Sequence, residues 1–313
     1  MNLFANIERA MKNSLVIVWL MVIASTFFWG SNFNAAQAIA GDVPPLTAAA
    51  DRFGVAFIIF LLLRLIQGKA ESQLRWQDGL MLIPLGIVGV FGFNYAFFTA
   101  MHTTSALNAA LIMALSPMLS VIFSVWMLNT QIKSNQYVGI VLAFSGVTLV
   151  ITGGNFALLH IAVGDAWMLG ACIVWSLYSV SAKRFAAHIP SLQLARWTVS
   201  IGAIALMLTA YCIEDPITNI ANLSLQNHAI LFYMATAGTV FAYIGWLKGV
   251  HVLGPDKSAI AFNLVPVFTL IVSLMLGTIP NMIQLLGMAL VLLGVVISSG
   301  WRPRFLNKHA VSF

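Results

Sequence analysis

The sequence reads LIMALSPMLSVIF from Leu111 to Phe123 and AFNLVPVFTLIV from Ala261 to Val272. Each stretch carries one proline, Pro117 or Pro266, near the centre of an apolar segment that is long enough to cross a bilayer. Because proline has no backbone N–H, the carbonyl group four residues earlier loses its helical partner. In hydrocarbon such a carbonyl must find another donor, from a neighbouring helix, a Ser or Thr, water or a bound solute.

The carbonyl groups that the two prolines free belong to Met113 and Phe262. Two broken helices at matching places in the two halves of a chain are typical of a solute site near the bilayer midplane. For either proline alone a packing kink is the alternative explanation, since kinks are common in membrane helices. The recurrence in both halves favours the solute site.

The composition is that of an integral membrane protein. Charged residues make up 8% and hydrophobic residues 60% of the 313 residues, whereas a soluble domain is roughly 25% charged. At about 20 apolar residues per crossing, ten helices joined by short turns use most of the chain. The two cysteines, Cys172 and Cys212, lack metal-ligand spacing, and we expect buried inert thiols, with a disulfide as the alternative.

Ten apolar segments are predicted to be transmembrane helices. They run over Ser14–Ala38, Pro45–Gln67, Asp78–Met101, Thr104–Asn129, Gln136–Thr152, Asp165–Lys183, Pro190–Cys212, His228–Val250, Lys257–Gly277 and Met282–Gly300. The apolar run of the first segment, roughly 24 residues, exceeds the about 7–15 residues of a signal peptide, so we expect an uncleaved helix.

Basic residues indicate the orientation of these helices. The chain has 15 Lys and Arg residues, and with a cytoplasmic N-terminus all of them except Arg52 fall on the cytoplasmic side. Such an excess in the cytoplasmic connections is usual in membrane proteins. We therefore predict a multi-pass protein of the inner (cytoplasmic) membrane with both termini in the cytoplasm.

The two halves of the chain repeat. Trp29 and Trp175 each precede a proline by 15 residues, and further pairs recur at offsets of 148 or 149. These pairs are Tyr95 and Tyr243, Pro117 and Pro266, Gly139 and Gly287, and Gly146 and Gly294. Since each half has an odd number of helices, the second copy enters the membrane from the opposite side. The prediction is an all-α integral membrane protein of ten transmembrane helices in two inverted five-helix repeats, residues 1–152 and 153–313.

Several short motifs resemble the EamA-type drug/metabolite transporter (DMT) superfamily: WGSN at Trp29, Arg52 in the second helix, TSALNAAL in the fourth and NLVPVF in the ninth. The resemblance extends over nearly the whole chain. It implies a ten-helix inverted repeat with a central cavity, and transport, often export, of amino acids, related metabolites or drugs. Many members carry a Glu just after the fourth and ninth helices, where this chain has Asn129 and Thr278, so no role of those acids is carried over.

Twelve residues within the predicted helices are candidates for contact with a substrate. They are aromatic residues, neutral amides, one arginine and the two prolines. The set is Trp29, Asn32, Arg52, Tyr95, Asn108, Pro117, Trp175, Tyr178, Tyr243, Trp246, Asn263 and Pro266. The alternatives are lipid-facing or packing roles for the aromatic residues, interhelical hydrogen bonds for the asparagines and a headgroup contact for the arginine.

Asp51 is the candidate for proton coupling, because it is the only carboxylate more than one turn inside a predicted helix. The sequence holds no metal-ligand motif, phosphate-binding loop or nucleophile elbow, so we expect no cofactor, no metal and no enzymatic activity. The partners that we expect are a small-molecule substrate and the lipid bilayer, and not nucleic acid. Whether a proton or a counter-substrate takes part is left open.

The function that these features favour is export of a small amphipathic metabolite, such as an amino acid or a derivative, by alternating access. Fixed charges are few among the candidate residues, whereas a polyanionic substrate would favour a cluster of arginines. A broad-range exporter of aromatic or cationic drugs is the closest alternative. A channel and a non-transporting scaffold are further alternatives.

Overall fold

The computed structural model describes residues 2–67, 73–155, 162–254, 258 and 261–299, without the side chains of residues 2–14 and 67. All regular structure within these ranges is helical. The segments are α1 (Asn2–Ile39), α2 (Pro45–Gln67), α3 (Trp76–Gly86), π1 (Ile87–Gly92), α4 (Phe93–Met101), α5 (Ala106–Met113), α6 (Ser116–Leu128), α7 (Ser134–Ile151), α8 (Val163–Phe185), α9 (Ser191–Ile213), α10 (Pro216–Ala221), α11 (Leu225–Ala235), π2 (Thr236–Phe241), α12 (Ala242–Leu253), α13 (Leu264–Met275) and α14 (Met282–Ser298).

Eight helical stretches of the described chain are long and apolar enough to cross a membrane. They are Leu15–Ile39, Pro45–Ile66, Trp76–Met101, Ala106–Leu128, Ser134–Ile151, Val163–Phe185, Ser191–Ile213 and Leu225–Leu253. These stretches agree with the first eight predicted segments to within three residues at each end. A multi-pass, all-helical membrane protein follows from this pattern.

The last two predicted segments contain the shorter apolar helices α13 and α14. Residues 257, 259 and 260, at the start of the predicted ninth segment, lie outside the described residues. The count of ten crossings therefore stays a prediction. The cysteines are free, with Cys172 buried and Cys212 exposed, so the expectation of a buried thiol was wrong for Cys212, which lies on the outer face of α9.

Two π-helical segments interrupt the third and eighth stretches at positions 149 residues apart. Each contains a glycine that lies directly against a side chain of the other half: Gly89 against Tyr178 in π1, and Gly238 against Asn32 in π2. A Cβ atom on either glycine would overlap that side chain. Glycine is thus required for the close approach, and π-helical segments of this kind are frequent at functional sites.

Glycine also sets the distance between α7 and α14. A Cβ atom added to Gly146 would lie 2.6 Å from the carbonyl oxygen of Gly287, and one added to Gly294 would lie 2.6 Å from that of Gly139. Small residues allow membrane helices to pack this closely. The four glycines are those that recur in the sequence, so the repeated positions meet each other across one helix pair.

Polar contacts connect α1 to α13 beside another glycine at which two helices pack closely. A Cβ atom added to Gly30 would lie 2.7 Å from the carbonyl oxygen of Val265. Next to it, Asn34 Nδ2 donates to the carbonyl of Thr269 at 3.1 Å, and Ser273 Oγ donates to Asn34 Oδ1 at 2.7 Å. These buried bonds hold the first long helix against α13, where Pro266 lies.

Candidate functional site

A central cavity lies between α1, α2, π1, α4, α5, α8, α12 and α13. It offers about 100 Å³ to the centres of water molecules, several times the roughly 10–15 Å³ that one water needs. Eight of its 19 lining residues are aromatic: Trp29, Phe33, Phe53, Phe93, Phe97, Trp175, Tyr243 and Phe262. Such a wall suits an apolar group, and polar side chains at a few points can orient it.

The structure brings seven of the twelve candidate residues to this cavity. They are Trp29, Asn32, Arg52, Trp175, Tyr243, Asn263 and Pro266. The remaining candidates lie outside its wall: Tyr95, Asn108, Pro117, Tyr178 and Trp246. Two of these support the wall from behind, since the Tyr178 ring lies 5.5 Å from that of Trp175 and the Trp246 ring 5.2 Å from that of Trp29.

The other three candidates outside the wall have partners elsewhere. Tyr95 packs edge-on against Trp167 at 5.7 Å between ring centroids. Asn108 accepts a hydrogen bond from Gln284 Nε2 at 2.8 Å. Pro117 lies in the first turn of α6. Its missing N–H costs nothing there, because the first N–H groups of any α-helix have no acceptor within the helix.

Asn94 lines the cavity but is absent from the twelve residues predicted from the sequence. The sequence repeat pairs Tyr95 with Tyr243, but π1 and π2 are 149 residues apart, and this offset pairs Asn94 with Tyr243. A π-helical segment inserts about one extra residue and turns the following residues by about 100° relative to a continuous α-helix. The glycines of GVFG at Gly89 to Gly92 are the one signal in the sequence that hints at this shift.

Arg52 supplies the charge of the cavity. Its side chain is 7% exposed, and Nε donates to Thr239 Oγ1 at 3.0 Å while Nη2 donates to the carbonyl of Gly238 at 3.5 Å. Within the described part of the chain no carboxylate pairs with it. A guanidinium group has five N–H donors, so most of its capacity is unused. An ionised side chain buried in a membrane protein without a counter-charge marks a functional site.

Three neutral amides also line the wall, Asn32, Asn94 and Asn263, and the first two are anchored in the same way. Asn32 Nδ2 donates to the carbonyl of Gly238 in π2 at 3.2 Å, and Asn94 Nδ2 donates to that of Val90 in π1 at 2.8 Å. Among the described residues, neither amide oxygen has a hydrogen-bond partner, although both are buried. Each π-helical segment thus anchors one asparagine by its nitrogen and leaves the oxygen free.

The helix break predicted in the first half lies beside the cavity. Helix α5 ends at Met113 and α6 begins at Ser116, and Met113 lines the wall together with Ala114. The carbonyl of Met113 has a weak partner in Cys172 Sγ, 3.9 Å away. In the second half Asn263 precedes α13, and Phe262 lines the same cavity. The residues four positions before the two prolines therefore meet at one cavity.

Two carboxylates differ in their burial. Asp51 lies half-buried on α2 outside the cavity wall. Asp165, in the first turn of α8, is 3% exposed and accepts a hydrogen bond from Thr104 Oγ1. The sequence gives no sign of this burial, because Asp165 stands at the predicted start of its helix. Its burial depends on the tertiary contact of α8 with the turn between α4 and α5.

Comparison with known proteins gives consistent matches. The model of the EamA-like transporter family matches residues 16–152 and again residues 162–300. The chain is 35% identical over 287 residues to the uncharacterised transporter YyaM of Bacillus subtilis (strain 168). This match covers 90% of this chain and 93% of that protein.

Two further matches are more distant. The chain is 27% identical over 190 residues to the aromatic amino acid exporter YddG of Ancylobacter novellus, covering 59% of this chain and 64% of that protein. One solved crystal structure superposes with a TM-score of 0.66 at 19% identity, over 94% of this chain and 99% of that chain. At this identity the superposition demonstrates a common fold.

Proposed function

Because the chain belongs to the EamA-like transporter family, we propose that it is an inner-membrane secondary transporter that exports small amphipathic metabolites, with amino acids or their derivatives as first choice. The observation that carries this proposal is a buried arginine that lines an aromatic cavity and pairs with no carboxylate in the described part of the chain. A substrate carboxylate would pair with Arg52 through charge-assisted hydrogen bonds. An apolar substrate side chain would lie against the rings.

Further observations support export as the direction of transport and amino acids as the substrate class. One relative is named an aromatic amino acid exporter, which agrees with a wall of eight aromatic residues. Alternating access around a fixed central site is the usual mechanism of carriers that are built from two repeats. The competing proposal, export of cationic drugs, is supported by the ring cluster of Trp29, Trp246 and Phe262, but the positive charge of Arg52 opposes it.

Counterflow in liposomes tests this function. Purified protein in vesicles preloaded with an unlabelled amino acid should accelerate uptake of the same labelled amino acid, with saturation and with a preference for large apolar side chains. A channel gives no counterflow, and a scaffold gives no uptake. Counterflow of a planar cationic dye, without that of any amino acid, would replace the proposal by drug efflux.

We propose the ten-helix inverted repeat as the architecture, with residues 1–152 and 153–313 as the two copies. The two family matches, which fall on either side of residue 153, support it. We expect a reporter enzyme that is active only outside the cytoplasm to be active when fused after Asn155 or Asn219, and silent when fused after Asn135. Silence after Asn155, or activity after Asn135, would contradict the orientation.

We propose Asp51 as the residue that couples transport to protons. Asp51→Asn is then expected to abolish uphill transport driven by a pH gradient while sparing exchange, because exchange needs no net proton movement. Uphill uptake and counterflow measured on the same vesicles separate the two. Asp165→Asn is the matched variant, since Asp165 is the more deeply buried carboxylate. If Asp165→Asn alone shows the split, the coupling role belongs to Asp165 instead.

The helix breaks are proposed to shape the binding site. Pro117 and Pro266 lie in the first turn of α6 and α13, so an alanine N–H at either position reaches the carbonyl four residues earlier only if the helical segments before and after the break join. Pro266→Ala or Pro117→Ala removes the steric obstacle to that joining, which would straighten the helix beside the cavity. We expect thermal stability equal to or above that of the unmodified protein, because the joined helix gives the carbonyl at the break a backbone donor. Substrate binding should weaken. Normal transport by both folded variants would mean that the breaks serve packing alone.

A further inference from the structure

Two buried acceptors in the cavity wall have no role in the fold. The side chains of Asn32 and Asn94 are 4% and 1% exposed. The Nδ2–H group of Asn32 donates to a backbone carbonyl of π2, and that of Asn94 donates to a backbone carbonyl of π1. Because a carbonyl can only accept, this bond fixes the orientation of each amide. The free atom is therefore the oxygen in both residues, and neither oxygen has a partner among the described residues.

A free energy cost accompanies each of these oxygens. A desolvated acceptor without a donor is destabilising, and native proteins contain few such atoms without a reason. Three buried nitrogen or oxygen atoms of the described side chains have no hydrogen-bond partner, and two of them belong to residues of the cavity wall, while Thr99 does not line it. Leucine would fill nearly the same volume without this cost. The position of both amides on the wall indicates a ligand donor.

We infer that Asn32 and Asn94 form an acceptor pair that selects substrates with a free, protonated amino group beside the carboxylate. This inference rests on the proposed function and narrows it from amino acids and their derivatives to those with an unmodified α-amino group. An ammonium group carries three N–H donors and no acceptor, which suits two amide oxygens. The Trp29 and Tyr243 rings of the same wall can face its positive charge.

The cavity thus divides the head group of the substrate between two kinds of partner. Arg52 offers only donors and takes the carboxylate, whereas the two amide oxygens offer only acceptors and take the ammonium group. Both oxygens are closed off from water in this conformation. A donor therefore reaches them only when the wall adjusts around the substrate, and the cost of the missing bonds is then relieved.

A comparison of three ligands tests the inference on the wild-type protein. L-phenylalanine, N-acetyl-L-phenylalanine and 3-phenylpropanoate share the ring and the carboxylate but differ in the amino group. We expect the second and third to bind about tenfold more weakly or worse than the first. Equal binding of all three would overturn the inference and leave the proposed function intact. If none of the three binds, the proposed function for this class fails, and the inference with it.

Variants assign the selectivity to the two amides. Asn94→Leu and Asn32→Leu should weaken binding of L-phenylalanine to the level of 3-phenylpropanoate, whose own affinity should not fall. Asn135→Leu is the matched control, because Asn135 also donates to backbone carbonyls, those of Ile297 and Ser298, but lies outside the wall. If both leucine variants still prefer L-phenylalanine to 3-phenylpropanoate, the assignment to Asn32 and Asn94 is overturned. The comparison of the three ligands on the wild-type protein remains a test even if a variant fails to fold.

Discussion

Arg52→Met is expected to weaken binding of a carboxylate substrate by roughly 30-fold or more, which corresponds to the loss of about 2 kcal/mol of charge-assisted hydrogen bonding. The same variant should be at least as stable as the unmodified protein. The reason is that a buried charge without a counter-charge costs more in desolvation than its hydrogen bonds to Thr239 and Gly238 return. Dissociation constants and thermal unfolding, measured on one preparation, test both parts.

Two further variants sharpen the Arg52 experiment. Arg52→Lys keeps the charge but loses the planar fork of N–H donors, so we expect an intermediate affinity. Arg184→Met removes an arginine whose guanidinium donates to the carbonyl of Met127 at an exposed position outside the cavity, and it should bind substrate normally. Unchanged affinity in Arg52→Met would show that Arg52 holds the fold or meets headgroups rather than the substrate.

Gly146→Ala is expected to destabilise the protein by about 1–3 kcal/mol, the usual cost of overpacking a close contact. Its new Cβ atom would lie 2.6 Å from the carbonyl oxygen of Gly287. Because that oxygen belongs to the backbone of α14, it cannot turn aside as a flexible side chain could. The two helices must separate, and the transition temperature for unfolding should fall accordingly.

A matched glycine on another helix provides the control for this prediction. A Cβ atom added to Gly170 meets nothing within 4 Å, so Gly170→Ala should be neutral or should stabilise the protein by about 0.5–1 kcal/mol through the better helix propensity of alanine. If Gly146→Ala and Gly170→Ala unfold at the same temperature, α7 and α14 are not in the close contact described for Gly146 and Gly287.

The helices could be predicted from the sequence because the physics that decides them is local. An apolar run in a bilayer must satisfy its own backbone hydrogen bonds, and a helix is the structure that does so within one segment. Hydropathy alone therefore located eight stretches to within three residues. The recurring glycines were predicted only as marks of the repeat, and the structure shows that they also let two membrane helices pack closely, which needs small residues.

The site was only partly predictable, because membership of its wall depends on which face of each helix turns inward. Trp29 and Trp175 were identified from the repeat, and both line the cavity. Tyr95 was chosen over Asn94 because it recurs as Tyr243 at an offset of 148 residues, whereas π1 and π2 are 149 residues apart. A π-helical segment turns the residues that follow it, and it arises from packing between helices as much as from its own residues.

The sequence by itself determined that the chain is a helical membrane protein, where most of its helices lie and which polar side chains a cavity could use. The tertiary structure alone decided which of these side chains meet. Phe33, Phe53, Phe93 and Phe97 carry no signal that separates them from lipid-facing phenylalanines, yet all four line the cavity. The physical reason is that hydropathy has the same value for a ring against lipid and a ring against a substrate, so only the packing of helices distant in sequence distinguishes them.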